Sequence, residues 1–143
     1  MGIFDPQRDK AEKCAKEFNI EKIYSSEEEA FLEKEVVFDI AVPPQVLIEV
    51  VKKIPEGSIC QLQKPMGNSM KDAQLIRQII KEKKIIACVN LQLKFSPMMI
   101  ALREAIDKDM IGQITELEIS LSEKTPWHLW PFLETLDNVE VPL

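Results

Sequence analysis

Glycine and histidine are scarce in this chain: its 143 residues include four glycines and one histidine. None of the glycines falls in a Gly-x-Gly-x-x-Gly or Gly-x-x-x-x-Gly-Lys spacing, so no loop can cradle a phosphate on closely spaced backbone N–H groups. One histidine excludes a His-rich metal site, and no metal is expected. The three cysteines, Cys14, Cys60 and Cys88, are odd in number, widely spaced and set in apolar surroundings. That predicts reduced, buried thiols rather than a disulfide framework. Basic residues are also few, 18 Lys and Arg against 24 Asp and Glu, for a net charge of -6. Such a balance opposes binding to a phosphate backbone, so no nucleic-acid partner is expected. No run approaches the ~18 apolar residues of a membrane span, and the N-terminus lacks the basic start and apolar stretch of a signal peptide. What is present is ordinary globular material, 45% apolar and 29% charged. These features predict a soluble, acidic, cytoplasmic domain without a membrane partner.

The chain reads as strands alternating with helices. Gly2-Ile3-Phe4 resembles a strand end, and Asp5-Pro6 opens a helix, with aspartate as N-cap and proline at the first helical position. Ala11, Cys14, Ala15 and Phe18 recur with helical spacing. A short strand is expected at Ile23-Tyr24, and Ser25 or Ser26 starts the acidic helical turn Glu27-Glu28-Glu29. Val36 to Val42 (VVFDIAV) is almost continuously apolar and β-branched, as in strands covered on both faces by crossover helices. Val46, Leu47, Val50, Val51 and Ile54 supply the next helix, and a turn at Pro55-Glu56-Gly57 leads into the strand Ser58–Leu62. Met70, Ala73, Ile76, Ile79 and Ile80 mark a second long helix, followed by the apolar run Ile85–Val89. Strands separated by helices of this length imply right-handed βαβ units and a parallel sheet.

The pattern changes near residue 94. Ser96-Pro97 caps a further helix, with Ile100, Leu102 and Ile106 inward and Gly112 at its end. Residues 116–121 then alternate strictly, which predicts a half-exposed strand of an antiparallel sheet near 114–122. The expected class is therefore α/β: a doubly wound parallel sheet over residues 1–93, then the start of an α+β domain over residues 94–143.

A doubly wound sheet binds ligands at the C-terminal ends of its strands. Asp5 stands at the first such end, where it reads either as a helix cap or as an acceptor for ribose hydroxyls. Pro43 and Pro44 follow the VVFDIAV strand, as a rigid lead-in to a helix or as one wall of a cleft. Lys64, in Gln63-Lys64-Pro65-Met66-Gly67, leaves a buried strand with Pro65 and Gly67 fixing the backbone behind it. It reads either as a solvated turn lysine or as a group that hydrogen-bonds a hydroxyl and stabilises developing negative charge. Asn90 and Gln92 add polar groups after the following strand. His128, between Trp127 and Trp130, reads as packed or surface-exposed rather than catalytic.

Taken in order, Phe4-Asp5-Pro6, Ala41-Val42-Pro43-Pro44, Lys64-Pro65-Met66-Gly67 and Asn90-Leu91-Gln92-Leu93-Lys94-Phe95 resemble the glucose–fructose oxidoreductase / inositol dehydrogenase / rhizopine catabolism (Gfo/Idh/MocA) family. Arg103-Glu104-Ala105-Ile106 through Ile111-Gly112-Gln113-Ile114 continues the likeness. The resemblance implies a Rossmann domain for NAD or NADP, a mostly antiparallel substrate domain, and hydride transfer to or from a hydroxyl-bearing carbon of a sugar, cyclitol or polyol. It implies Asp5, Pro43, Pro44, Lys64, Pro65 and Asn90 as cofactor contacts, with Asp5 favouring NAD, and Lys64 as the catalytic lysine of a Glu-Lys-Pro motif. Gln63 stands where that motif has glutamate. The family's first strand with its glycine loop, and its catalytic Asp/His pair, have no counterpart in these residues. The resemblance thus implies an incomplete Rossmann-type sheet, open strand edges that invite association into a homo-oligomer, and weak NAD binding without measurable turnover. A non-catalytic nucleotide-binding or scaffold domain derived from the family is the alternative.

Overall fold

A computed structural model describes residues 1–120 and residue 122. The chain divides into two compact units, Met1–Ile100 and Ala101–Leu143. Its elements alternate as expected: β1 (Gly2–Ile3), α1 (Arg8–Phe18), β2 (Lys22–Ile23), α2 (Glu27–Ala30), β3 (Val37–Ile40), α3 (Pro44–Lys53), β4 (Ile59–Leu62), α4 (Met70–Glu82), β5 (Ile86–Val89) and α5 (Pro97–Asp107). All strand pairs are parallel, but they form two sheets: β1 with β2, and β3-β4-β5.

Helix ends follow local chemistry. Ser26 Oγ accepts from the Glu29 N–H at 3.1 Å while the Glu29 carboxylate accepts from the Ser25 N–H at 2.7 Å. This reciprocal cap gives the short α2 a defined start and, with the Ser25 hydroxyl, holds the Glu29 carboxyl below its usual range. Three helices stop at a left-handed residue other than glycine: Asn19 after α1, Lys84 after α4 and Asp109 after α5. In each case the next N–H reaches back to an orphan helix carbonyl, as Ile20 does to Ala15, Ile85 to Ile80 and Met110 to Ala105. Asp109, not Gly112, therefore turns the chain out of α5. The first helix also begins later than its sequence suggests. Asp5 Oδ1 accepts from the Gln7 N–H at 2.7 Å, a local turn that delays the helix to Arg8.

The core lies on one face of β3-β4-β5. Ile40, Cys60 and Leu62 pack there against Leu47, Val51 and Ile54 from α3 and its end, and Ile76 and Ile79 from α4. Phe31 closes one side, edge-on to Phe38 with ring centroids 5.2 Å apart. The opposite face carries Val37, Ile59 and Ile86, paired across the three strands and 64%, 45% and 65% exposed. The strands are thus buried on one face among the described residues, not on both as their apolar runs suggest. Cys88 shares the open face and is exposed, Cys14 is half-buried, and only Cys60 is a buried thiol.

Three further expectations are corrected. No residue of α5 is buried, and Ile100 and Ile106 are exposed rather than inward. Met70 likewise lies exposed at the start of α4. Residues 114–120 form no strand: the alternation of Leu117 and Ile119 with Glu116 and Glu118 suits a sheet edge, but no described strand offers it a ladder. Leu121, Trp127, His128 and Trp130 fall outside the described residues.

Candidate functional site

The sheet register brings the C-terminal ends of β3, β4 and β5 level. Ile40 pairs with Leu62 and Leu62 with Val89, and the Gln63 and Asn90 N–H groups donate to the Ile40 and Leu62 carbonyls at 3.0 and 2.8 Å. A side-chain network crosses all three strands at this level. Gln63 Nε2 donates to Asp39 Oδ1 at 2.8 Å, and Asn90 Nδ2 donates to Gln63 Oε1 at 2.9 Å. An ionised carboxylate only accepts, so Asp39 determines which end of the Gln63 amide faces it. That explains glutamine at position 63: a glutamate there would set two carboxylates against each other and could not donate to Asp39.

Lys64 and Pro65 follow directly, both exposed, joined by a cis peptide bond. The chain then turns through Gly67, whose φ of +89° and close approach to Asp72 exclude a side chain; an added Cβ would lie 2.4 Å from Asp72 Cβ. Asp72 in turn accepts from the Asn68 N–H at 2.9 Å and donates its own N–H to Ser69 Oγ at 3.2 Å, capping α4. The segment after β4 is therefore held at both ends, by the Asp39–Gln63–Asn90 network and by the α4 cap, with Lys64 between them.

Pro43 and Pro44 follow β3, next to β4 in the same sheet. Pro43 is exposed and Pro44 is buried at the first position of α3. Asp5 follows β1 in the other sheet, half-buried, with one carboxylate oxygen taken by the Gln7 N–H. Gln92 lies in a 3-10 turn, Gln92–Phe95. Beneath the strand ends, burial pushes the Cys60 thiol up from its ordinary range, consistent with an inert core thiol. The sequence reading missed Asp39 and the linking role of Gln63. The signal was a single acid inside VVFDIAV, two residues from Val37 and so on the same exposed face. No group of three metal-ligating side chains occurs among the described residues.

No family model and no curated protein matches the chain. Solved structures do. An NAD binding oxidoreductase from Klebsiella pneumoniae matches with a TM-score of 0.69 and 21% identity, covering 78% of this chain and 30% of that one. Levoglucosan dehydrogenase in complex with NADH and levoglucosan matches at 0.71 and 22%, covering 79% and 31%. Scyllo-inositol dehydrogenase from Lactobacillus casei matches at 0.68 and 14%, covering 80% and 35%. The chain thus spans about a third of the length of each of these proteins. Over that third, its fold is the Rossmann-like parallel α/β fold of these oxidoreductases.

Proposed function

We propose that residues 1–93 are part of the NAD(P)-binding domain of a Gfo/Idh/MocA-type oxidoreductase, and that residues 94–143 begin its substrate domain. The enzyme acts in the cytoplasm on a sugar, cyclitol or other polyol. The observation that carries this reading is the exposed Lys64, held between two anchored points where β4 leaves a parallel sheet. When bound, the nicotinamide accepts or supplies the hydride. The chain's own residues bind and polarise. The Lys64 ammonium donates to the reacting hydroxyl and stabilises the negative charge that grows on its oxygen. The linked amides of Gln63 and Asn90 supply further polar groups at the same strand ends. Asp5 keeps one carboxylate oxygen for a ribose hydroxyl while the other holds the Gln7 N–H, and its charge disfavours the 2′-phosphate of NADP. Exposed Pro43, after β3, would form one wall of the cofactor cleft. These residues suit the ribose and nicotinamide ends of the cofactor; none of the four glycines supplies a pyrophosphate cradle.

The test is an NMR titration of the 143-residue chain with NADH and NADPH, combined with a turnover assay over polyols and sugars. NADH is expected to bind more weakly than about 1 mM, equivalent to less than ~4.1 kcal/mol. Shifts should concentrate at Asp5, Lys64 and Asn90, diminish in Asp5→Ala, and be smaller with NADPH. No turnover is expected, because no histidine lies among the described residues to serve as the base, worth ~10²–10⁴-fold in rate. Shifts absent from these strand ends would reject the cofactor reading. Micromolar binding with turnover abolished by Lys64→Ala would instead reveal a self-sufficient site.

A further inference from the structure

The hydrogen bonds that cross the three strand ends run in one direction. Asp39 is exposed, and the oxygens of its carboxylate only accept. Gln63 therefore turns Nε2 to Asp39 Oδ1, at 2.8 Å, which leaves Gln63 Oε1 on the other side of the amide. That oxygen also only accepts, so Asn90 turns its nitrogen toward it and donates from Nδ2 at 2.9 Å. Both N–H groups of the Asn90 amide sit on that nitrogen, and Oδ1, across Cγ, faces away from Gln63. Among the described residues no donor meets Asn90 Oδ1. A pair of neutral amides can bond equally well in either sense. The sense seen at Asn90 thus originates two strands away, at an acid inside β3.

We propose that Asp39 is a positioning residue: acting through Gln63, it makes the end of β5 a hydrogen-bond acceptor, Asn90 Oδ1, for a neutral N–H or O–H donor on a ligand. Asn90 is placed for that task. It is half-buried, its N–H donates to the Leu62 carbonyl at 2.8 Å, and the chain turns tightly about it, with the Leu91 N–H on the Val89 carbonyl at 2.8 Å. Its backbone is held by the turn and its side chain by Gln63, so little freedom remains to be lost on binding. Acceptor chemistry also excludes ligands. A carboxylate or phosphate oxygen facing Asn90 Oδ1 would find no donor there and would approach an acceptor instead. Two neutral donors fit, the carboxamide of a nicotinamide ring and the hydroxyl of a polyol. The ligand part of the inference rests on the function proposed above, whereas the polarity imposed by Asp39 does not.

NMR of the isotope-labelled full chain tests the polarity through scalar couplings across the hydrogen bonds. In the parent, the Asn90 side-chain nitrogen is expected to couple to the Gln63 carboxamide carbon, with no coupling in the reverse sense. Asp39→Asn keeps the shape of residue 39 but can both donate and accept, so that coupling is expected to fall to about half as both senses become populated. Asp39→Ala, at the same exposed position, is the second arm and should show the same fall. The ligand arm compares NADH, its analogue with a carboxylate in place of the carboxamide, and myo-inositol, each at about ten times a ~1 mM constant. NADH or myo-inositol is expected to shift the Asn90 side-chain amide at least about threefold more than the analogue does, and the one that does so identifies the donor. The proposal is overturned by reverse coupling in the parent or by coupling undiminished in both variants. It is equally overturned by an analogue that shifts Asn90 as much as the stronger donor, or by no Asn90 response to either donor. An Asn90 response to myo-inositol, with no NADH shifts at Asp5 or Lys64, would reject the cofactor reading and uphold this one.

Discussion

Gln63→Glu tests the strand-end network directly. The replacement keeps size and shape, removes the donation from Gln63 Nε2 to Asp39 Oδ1 at 2.8 Å, and places a second negative charge at that distance. A hydrogen bond to a charged group contributes ~1.5–3 kcal/mol, and two like charges ~4 Å apart repel by ~1 kcal/mol in water and ~4 kcal/mol near a protein surface. Both side chains reach solvent, so screening takes most of the larger figures away, and a net loss of about 2 kcal/mol at pH 7 is expected. For a domain of this size that lowers Tm by roughly 8 °C. Urea unfolding followed by circular dichroism measures it. The sign of the pH dependence follows from the chemistry. Protonating the introduced carboxylate removes the repulsion and restores a donor, so the deficit shrinks as pH falls below 7 and does not grow above it. Asp39→Asn combined with Gln63→Glu should recover most of the loss, because the new amide donates to the new carboxylate. A variant within ~0.5 kcal/mol of the parent at pH 7, with no pH dependence and no recovery in the double variant, would show that Gln63 does not link the strands.

Other outcomes follow from the core and its edges. Leu62→Ala, at a fully buried position of β4, should cost ~2–5 kcal/mol in the same unfolding assay. Exposed Cys88 should be alkylated rapidly in the native protein, with Cys60 labelled only on unfolding because burial keeps it a thiol; mass spectrometry after a timed iodoacetamide pulse reads both. Gly67→Ala should destabilise by more than ~1 kcal/mol, since its φ of +89° and its contact with Asp72 leave no room for a methyl group; parent-like Tm would refute this.

Much of this architecture was legible in the sequence alone. Parallel strands near 36–42, 58–63 and 85–90 and the helices between them follow from apolar runs, cap residues and proline positions, which act over a few residues and need no distant partner. The serine cap of α2 belongs to the same class, as does the order of the motifs that pointed to an oxidoreductase fold, whereas the Ser69 cap of α4 was not read from the sequence. Tertiary structure decided what depends on a partner. An apolar strand does not reveal whether both its faces are covered, so Val37, Ile59 and Ile86 read as core and are exposed. Alternation at 114–120 needs a neighbouring ladder to become a strand, and among the described residues none is present. Asp39, Gln63 and Asn90 lie far apart in sequence, and only parallel register sets them side by side. The division into two sheets was likewise open until the pairing was known, because an unpaired edge is a property of the space beside a strand and not of its residues.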